Sequence, residues 1–352
     1  MTATGDRSAS ATLRAWVGPT LRRGLAWSHA LSGRSARARR RLDGSCAAVL
    51  MYHRVLPRSE ARRLHVEPGM YVTPETFARH LGWLADAFAV LPLPEIVARL
   101  ETGDPLPPRA CAISFDDGWR DNLDHALPAL VARRMPATIF VVTDRVGTDG
   151  AFWPDEVARR LAQETTGRRV ALLDAARLTV EGSSLDAILA ALKTMPAEDR
   201  DAALERLRYE TRDPIGPERE LLDWTELDRL AGSGIAIESH SASHAILTGV
   251  SRDVVQTELA RSLATLQAHG HARHALLAYP SGAFDRGIVE IARSVGYRAA
   301  VTTEVGLASG ADDPLALPRV AVHEDIARTR AEFFRWIPGS ARARTAKGAD
   351  RR

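Results

Sequence analysis

Short apolar runs recur along the chain, separated by stretches in which apolar positions return at helical spacing. The runs at 47–52, 111–115, 137–142, 235–239, 275–279 and 299–302 are continuous, and a weaker one covers 317–322. Strands covered on both faces have this character, so the pattern predicts parallel strands flanked by helices. Between them, Thr73-Pro74-Glu75 has the form of a cap followed by proline at the first helical position. Phe77, Leu81, Leu84 and Phe88 follow at helical spacing. Val254, Leu259, Leu263 and Leu266 mark a second helix closed by Gly270, and 285–294 a third ended by Gly296. Repeated β-α units build either an open doubly wound sheet or a closed barrel. Both put their active sites beyond the C-terminal ends of the strands.

One stretch breaks this rhythm. Residues from about 145 to 222 contain no strand-like run, only amphipathic patterns such as 185–192 and 202–209. They predict a helical insertion between two core strands, either a lid or a partner-binding subdomain.

Two strings carry candidate chemistry. Ser114-Phe115-Asp116-Asp117-Gly118 ends one apolar run, and His240-Ser241-Ala242-Ser243-His244 ends another. Neighbouring residues of a strand face opposite ways, so two adjacent aspartates share a site only if the chain leaves the strand there, which Gly118 permits. Two imidazoles four residues apart in a tight loop or helical turn can face one point. A carboxylate with two histidines is a ligand set for a hydrolytic metal ion, with positions left open for water and substrate. The second carboxylate is then free to act as a base.

Two further strings lie past strands. The Tyr279-Pro280-Ser281-Gly282 turn exposes backbone N–H groups, that of Ser281 being the candidate to face an oxyanion. In Met51-Tyr52-His53-Arg54, His53 is a candidate general acid, since imidazole titrates near neutrality. His323 follows the last strand and is the other candidate, while the remaining histidines receive no role. Trp119, Phe152 and Trp153 suit either sugar stacking or core packing.

Charge adds one feature. The 352 residues carry a net charge of only +3, with 45% hydrophobic and 26% charged residues, as a globular protein does. Arginines crowd both ends, from Arg7 to Arg41 and from Arg342 to Arg352, leaving a slightly acidic body. Residues 1–44 read as a basic tail, disordered or resting on a membrane surface through Trp16, Leu21, Leu25 and Trp27, and 326–352 as a second basic tail. No apolar stretch suits a transmembrane span or a Sec-type signal, and the two cysteines are expected as buried free thiols. These features favour a cytoplasmic location, with peripheral contact at the inner membrane face. No recognised nucleic-acid module accompanies the arginines, so nucleic-acid binding is not expected.

Together the four strings resemble the polysaccharide deacetylases, carbohydrate esterases that share a NodB-homology domain. The 114–118 string is similar to the family's Thr/Ser-Phe-Asp-Asp-Gly motif, and 240–244 to its His-Ser/Thr-x-x-His motif. The 279–282 string is similar to a Tyr-Pro-x-Gly form of the third motif. The resemblance spans about 45–325 and implies a distorted (β/α)7 barrel that hydrolyses acetyl groups from a cell-surface polysaccharide or its lipid-linked precursor. It implies Asp117, His240 and His244 as ligands of a divalent ion, most often Zn2+. It implies Asp116 as general base and Tyr279, Pro280 and Ser281 at the substrate and oxyanion. The chain departs from the commoner Arg-x-Pro-Tyr/Phe form, reading Ala278-Tyr279-Pro280-Ser281, so the arginine that orients the base must come from elsewhere, and Arg319 is the candidate. The early Tyr52-His53 resembles the poly-N-acetylglucosamine and exopolysaccharide subgroup, which favours His53 over His323 as the acid. An amidase of the same fold acting on a non-glycan, and a catalytically silent glycan-binding barrel, are the alternative readings.

Overall fold

The computed structural model describes residues 42–337, apart from 68, 150, 151, 181 and 216–218. The arginine-rich stretches at 1–41 and 338–352, with the membrane contact expected of them, lie outside the described residues. The strands in chain order are β1 (Cys46–Tyr52), β2 (Arg54–Val55), β3 (Tyr71–Val72), β4 (Ala89–Val90), β5 (Ala110–Phe115), β6 (Ala137–Val141), β7 (Ile235–Ser239), β8 (Leu276–Ala278), β9 (Ala299–Val305), β10 (Ala308–Ser309) and β11 (Leu317–Ala321). Parallel pairing runs β1, β5, β6, β7, β8, β9, β11 and returns to β1, so seven strands close a barrel. Leu50 is paired with Ile113 on one side and Val320 on the other, which is the closure in a single register. The short β4 and β10 extend the sheet beyond β5 and β1, and β2 pairs with β3 alone.

The continuous apolar runs are explained by this closure. Ala47 and Val49 of β1 cluster with Ala110 and Ala112 of β5 and with Phe140, Ala278 and Val301, the set that fills the barrel. The alternate residues Ala48, Leu50, Tyr52, Cys111, Ile113 and Phe115 join the larger cluster under the helices. Cys111 is buried, whereas Cys46, at the start of β1, is half-buried rather than fully enclosed; neither is in a disulfide.

The α-helices are α1 (Arg58–Arg63), α2 (Pro74–Ala87), α3 (Leu93–Thr102), α4 (Leu127–Ala132), α5 (Trp153–Ala162), α6 (Thr166–Ala175), α7 (Leu185–Thr194), α8 (Ala197–Glu210), α9 (Trp224–Gly232), α10 (Arg252–Ala268), α11 (Arg286–Val295) and α12 (Arg330–Trp336). Their starts obey the local chemistry. Thr73 accepts from the Thr76 N–H, Ser251 from Val254 and Asp285 from Ile288. Gly296, at the end of α11, is left-handed.

Helices α5 to α8 between β6 and β7 form a unit with its own core, including Val157, Leu161, Leu172, Ile188, Leu192 and Leu204. Buried ion pairs tie it to the barrel. Arg159 of α5 lies 2.5 Å from Glu220, and Glu220 lies 2.9 Å from Arg54 of β2. Arg54 also holds Asp121 at 2.8 Å.

The C-terminal boundary expected at 325 needs correction. Thr329 and Glu332 form a reciprocal capping box that starts α12, which buries Phe333 and Phe334. Phe333 packs 4.5 Å from the His80 ring of α2 and Phe334 stacks on Phe88, so the folded body continues through Ile337. His80 itself is a structural group. It bridges the Tyr52 hydroxyl and the Ala327 carbonyl, and burial lowers its pKa to about 4.

Candidate functional site

The chain leaves β5 at once. Asp117 (φ 77°) and Gly118 (φ 82°) are both left-handed, a region that aspartate tolerates and glycine enters freely. A Cβ on Gly118 would press on Val141 of β6 at 3.0 Å. This turn lets both aspartates line one cavity of about 280 Å³ at the C-terminal end of the strands. The histidine string is a loop rather than a helix, with Ser241 (φ 64°) and His244 (φ 67°) also left-handed. The loop is pinned by the His240 N–H to Val141 O at 2.9 Å, by the Ser243 N–H to Glu258 at 2.8 Å and by the His244 N–H to Ser241 Oγ at 3.1 Å.

The result is a triangle of donors. Asp117 Oδ1 lies 3.4 Å from His240 Nε2 and 3.4 Å from His244 Nε2. Two ligand atoms each about 2.1 Å from one ion, at a tetrahedral angle, stand about 3.4 Å apart, so these residues fit a shared cation. All three ligand atoms lie within 4.8 Å of one another, and this is the one such group among the described residues. The outer contacts suit the same purpose. His240 Nδ1–H donates to Ala278 O at 2.8 Å, which fixes the ring with Nε2 turned toward Asp117. Trp119 Nε1–H donates to Asp117 Oδ2 at 2.8 Å, which leaves Oδ1. Burial raises the Asp117 carboxyl, but its bond to His240 and the nearby imidazoles outweigh this and hold it well below the ordinary range. Burial pushes His244 down to about 4, whereas at His240 burial is outweighed by the bond to Asp117 and the two aspartate charges, which raise its pKa, so a cation binding there would displace the proton on Nε2. Anionic carboxylate and neutral imidazole are the forms that ligate.

Asp116 meets the arginine that the third motif lacks. Arg319 of β11 donates to both of its oxygens, each at 2.7 Å, and neither side chain reaches solvent by more than 3%. The guanidinium is itself fixed by donation to Thr302 O at 2.9 Å. Burial opposes the charge on Asp116, yet the pairing with Arg319 keeps its pKa lowered, so it is ionised at neutral pH.

In the third string, Tyr279 forms part of the wall with its hydroxyl donated to Leu315 O at 2.9 Å and its ring stacked on Phe284. Its phenol is also a packing group, and Pro280 is buried. Ser281 (φ 54°) faces the cavity. The N–H groups of Gly282 and Ala283 are used on Tyr279 O and Pro280 O, whereas that of Ser281 has no hydrogen-bond partner among the described residues. Gly282 (φ 66°) is demanded by space as well, since a Cβ there would collide with Thr303.

His53 sits on the cavity wall, its carbonyl held by Asn122 Nδ2 at 2.9 Å. His323 is not on that wall; its Nδ1 lies 3.7 Å from Asp325. Of the three aromatic candidates, Phe152 faces the cavity 5.0 Å from the His244 ring. Trp119 is buried between Phe152 and the Arg54 guanidinium, and Trp153 packs on the insertion core beneath Arg200. Three charged residues on the wall, Glu67, Asp155 and Lys193, carry no motif signal and are brought in by tertiary folding alone. A larger hollow of about 800 Å³ opens at the other end of the barrel, by Glu238 and His271, and holds none of the motif residues.

Known proteins resemble this chain in sequence and in fold. The family model for polysaccharide deacetylase matches residues 103–172 and 182–300, more than half of the chain. His53 and Arg319 fall outside that match. YxkH of Bacillus subtilis (strain 168), which bears the polysaccharide deacetylase name, is 24% identical over 275 residues, 78% of this chain and 70% of its own. Among solved structures, Streptococcus pyogenes deacetylase PplD in complex with acetate shares the fold at a TM-score of 0.56 and 19% identity, over 80% of this chain and 95% of that one. IcaB from Ammonifex degensii does so at 0.55 and 19%, over 83% and 97%. The match of more than half its length to the family model places the chain in the polysaccharide deacetylase family, hydrolases that act on carbon–nitrogen bonds.

Proposed function

We propose that the protein is a metal-dependent deacetylase that hydrolyses the N-acetyl group of an amino sugar in a polysaccharide. The observation that carries this reading is the Asp117–His240–His244 triangle with the ionised Asp116 beside it in the same cavity. Two imidazoles and one carboxylate favour zinc. A divalent ion bound there would polarise the acetyl carbonyl and make water more acidic. Asp116, held in place by Arg319, takes a proton from the attacking water. The Ser281 N–H faces the oxygen that gains charge as the water adds to the carbonyl carbon. As the carbon–nitrogen bond breaks, His53 gives a proton to the leaving nitrogen, releasing acetate and a free amine.

The acid assignment has its own test. His53→Ala should lower kcat by about 10²–10⁴-fold, while His323→Ala leaves it nearly unchanged. The reverse pattern in steady-state kinetics transfers the role to His323. The substrate class is tested by acetate release from a panel of N-acetylated and O-acetylated glycans, with an acetylated non-sugar amide alongside. Release from an N-acetylated glycan is expected; release from the amide alone supports the amidase alternative, and binding without any release supports the silent barrel.

A further inference from the structure

One wall of the cavity is not used by the chemistry above. Asp155, the third residue of α5, is half-buried there, and its carboxyl group has neither hydrogen bond nor ion pair among the described residues. Glu67 approaches from the segment before β3. Its Oε1 is buried without a hydrogen-bond partner, and its Oε2 lies 3.5 Å from Lys193 Nζ of α7. Phe152, Pro154 and Met70 supply apolar surface between these groups. Burial raises the Asp155 carboxyl to about 7, Arg54 opposing the shift and the neighbouring carboxylates adding to it.

A buried acceptor without a partner, as Glu67 Oε1 is, costs stability unless a ligand completes it. In their ionised forms both carboxyls only accept, so the partner they suit is a donor. A pyranose ring offers a rim of O–H donors around apolar C–H faces, and the wall offers two carboxyls around a phenyl ring. A sugar acid would bring a further negative charge beside Asp155 and Glu67 into a poorly solvated space, with only the Lys193 ammonium, already 3.5 Å from Glu67, to offset it.

We infer that Asp155 and Glu67 form a sugar subsite that accepts hydroxyl hydrogens of the acetamido pyranose and selects a neutral ring over an acidic one. The helical insertion then determines specificity, because it supplies Asp155, Phe152 and Lys193, while the barrel supplies the reacting groups. This rests on the deacetylase reading, and it goes beyond it by assigning the substrate's charge class to named residues outside the motifs.

The test is steady-state kinetics of the full chain, Asp155→Asn and Glu67→Gln on a neutral N-acetylglucosamine oligosaccharide and a uronate-bearing one. For each variant KM for the neutral glycan should rise about tenfold with kcat within about twofold. The preference of the parent for the neutral glycan should shrink in both. Metal content and thermal melting are read alongside, and Glu67→Gln, on a different segment, guards against a folding defect confined to α5. Unchanged KM in both variants overturns the subsite, as does a loss confined to kcat. Should the parent release no acetate, the deacetylase reading falls, and calorimetric titration of the same oligosaccharide still decides the subsite. Tenfold weaker binding by the variants supports it, and equal or absent binding overturns it.

Discussion

Asp116→Asn is expected to release acetate about a thousandfold more slowly than the parent chain, within the range of about 10²–10⁴ for loss of a positioned base. Asparagine keeps the size of the side chain and one acceptor oxygen but cannot take a proton from water. Asp116 is not itself in the donor triangle, so the variant should keep its bound cation. The substitution has a cost of its own. Arg319 is fully buried and would keep its charge without a counter-ion, a change that typically removes about 3–5 kcal/mol. Activity must therefore be read on protein shown by thermal melting to be folded at the assay temperature. A folded, metal-loaded variant that turns over at the parental rate is incompatible with Asp116 as the base. The pairing with Arg319 explains why the position carries a carboxylate ionised at neutral pH, although the same pairing lowers its basicity.

The second large effect is expected from His240→Ala. Loss of an outer hydrogen bond to a ligand weakens metal binding by about 10–100-fold, and loss of the ligand itself should exceed that. His240 is held by Ala278 O at Nδ1 with Nε2 turned to Asp117, and alanine removes that ligand atom outright. The variant should bind less than a tenth of an equivalent of zinc after dialysis and release no acetate above background. Asp116 remains paired with Arg319, so melting should fall less than in Asp116→Asn. Retention of a full equivalent of metal by His240→Ala would falsify the shared-cation geometry.

Much of this arrangement is legible in the sequence because it is local. The seven barrel strands appear as continuous apolar runs since both faces of each are covered, and the motif residues follow because active groups sit just past those runs. Asp117 and Gly118 form the turn that the Asp-Asp-Gly string requires. Arg319 is reachable as a candidate only because the third motif lacks its arginine, and the structure brings its guanidinium to Asp116. The two-residue strands β2, β3, β4 and β10 leave no periodic trace, being too short to show one. Asp155, Glu67 and Lys193 converge from three segments with no fixed spacing between them, so only the folded chain reveals them. Helix α12 is a different case. Its Thr329-Arg330-Ala331-Glu332 box followed by Phe333-Phe334 is a readable start signal, hidden by the arginines around it and by the basic run that follows.

The most direct test is metal content and acetate release on one preparation of the full chain, before and after exhaustive chelation, then after zinc is returned. One equivalent of divalent ion per chain is predicted, with release abolished by chelation and restored by about one equivalent of zinc. Undiminished release from chain freed of metal would contradict the claim that Asp117, His240 and His244 hold the ion on which hydrolysis depends.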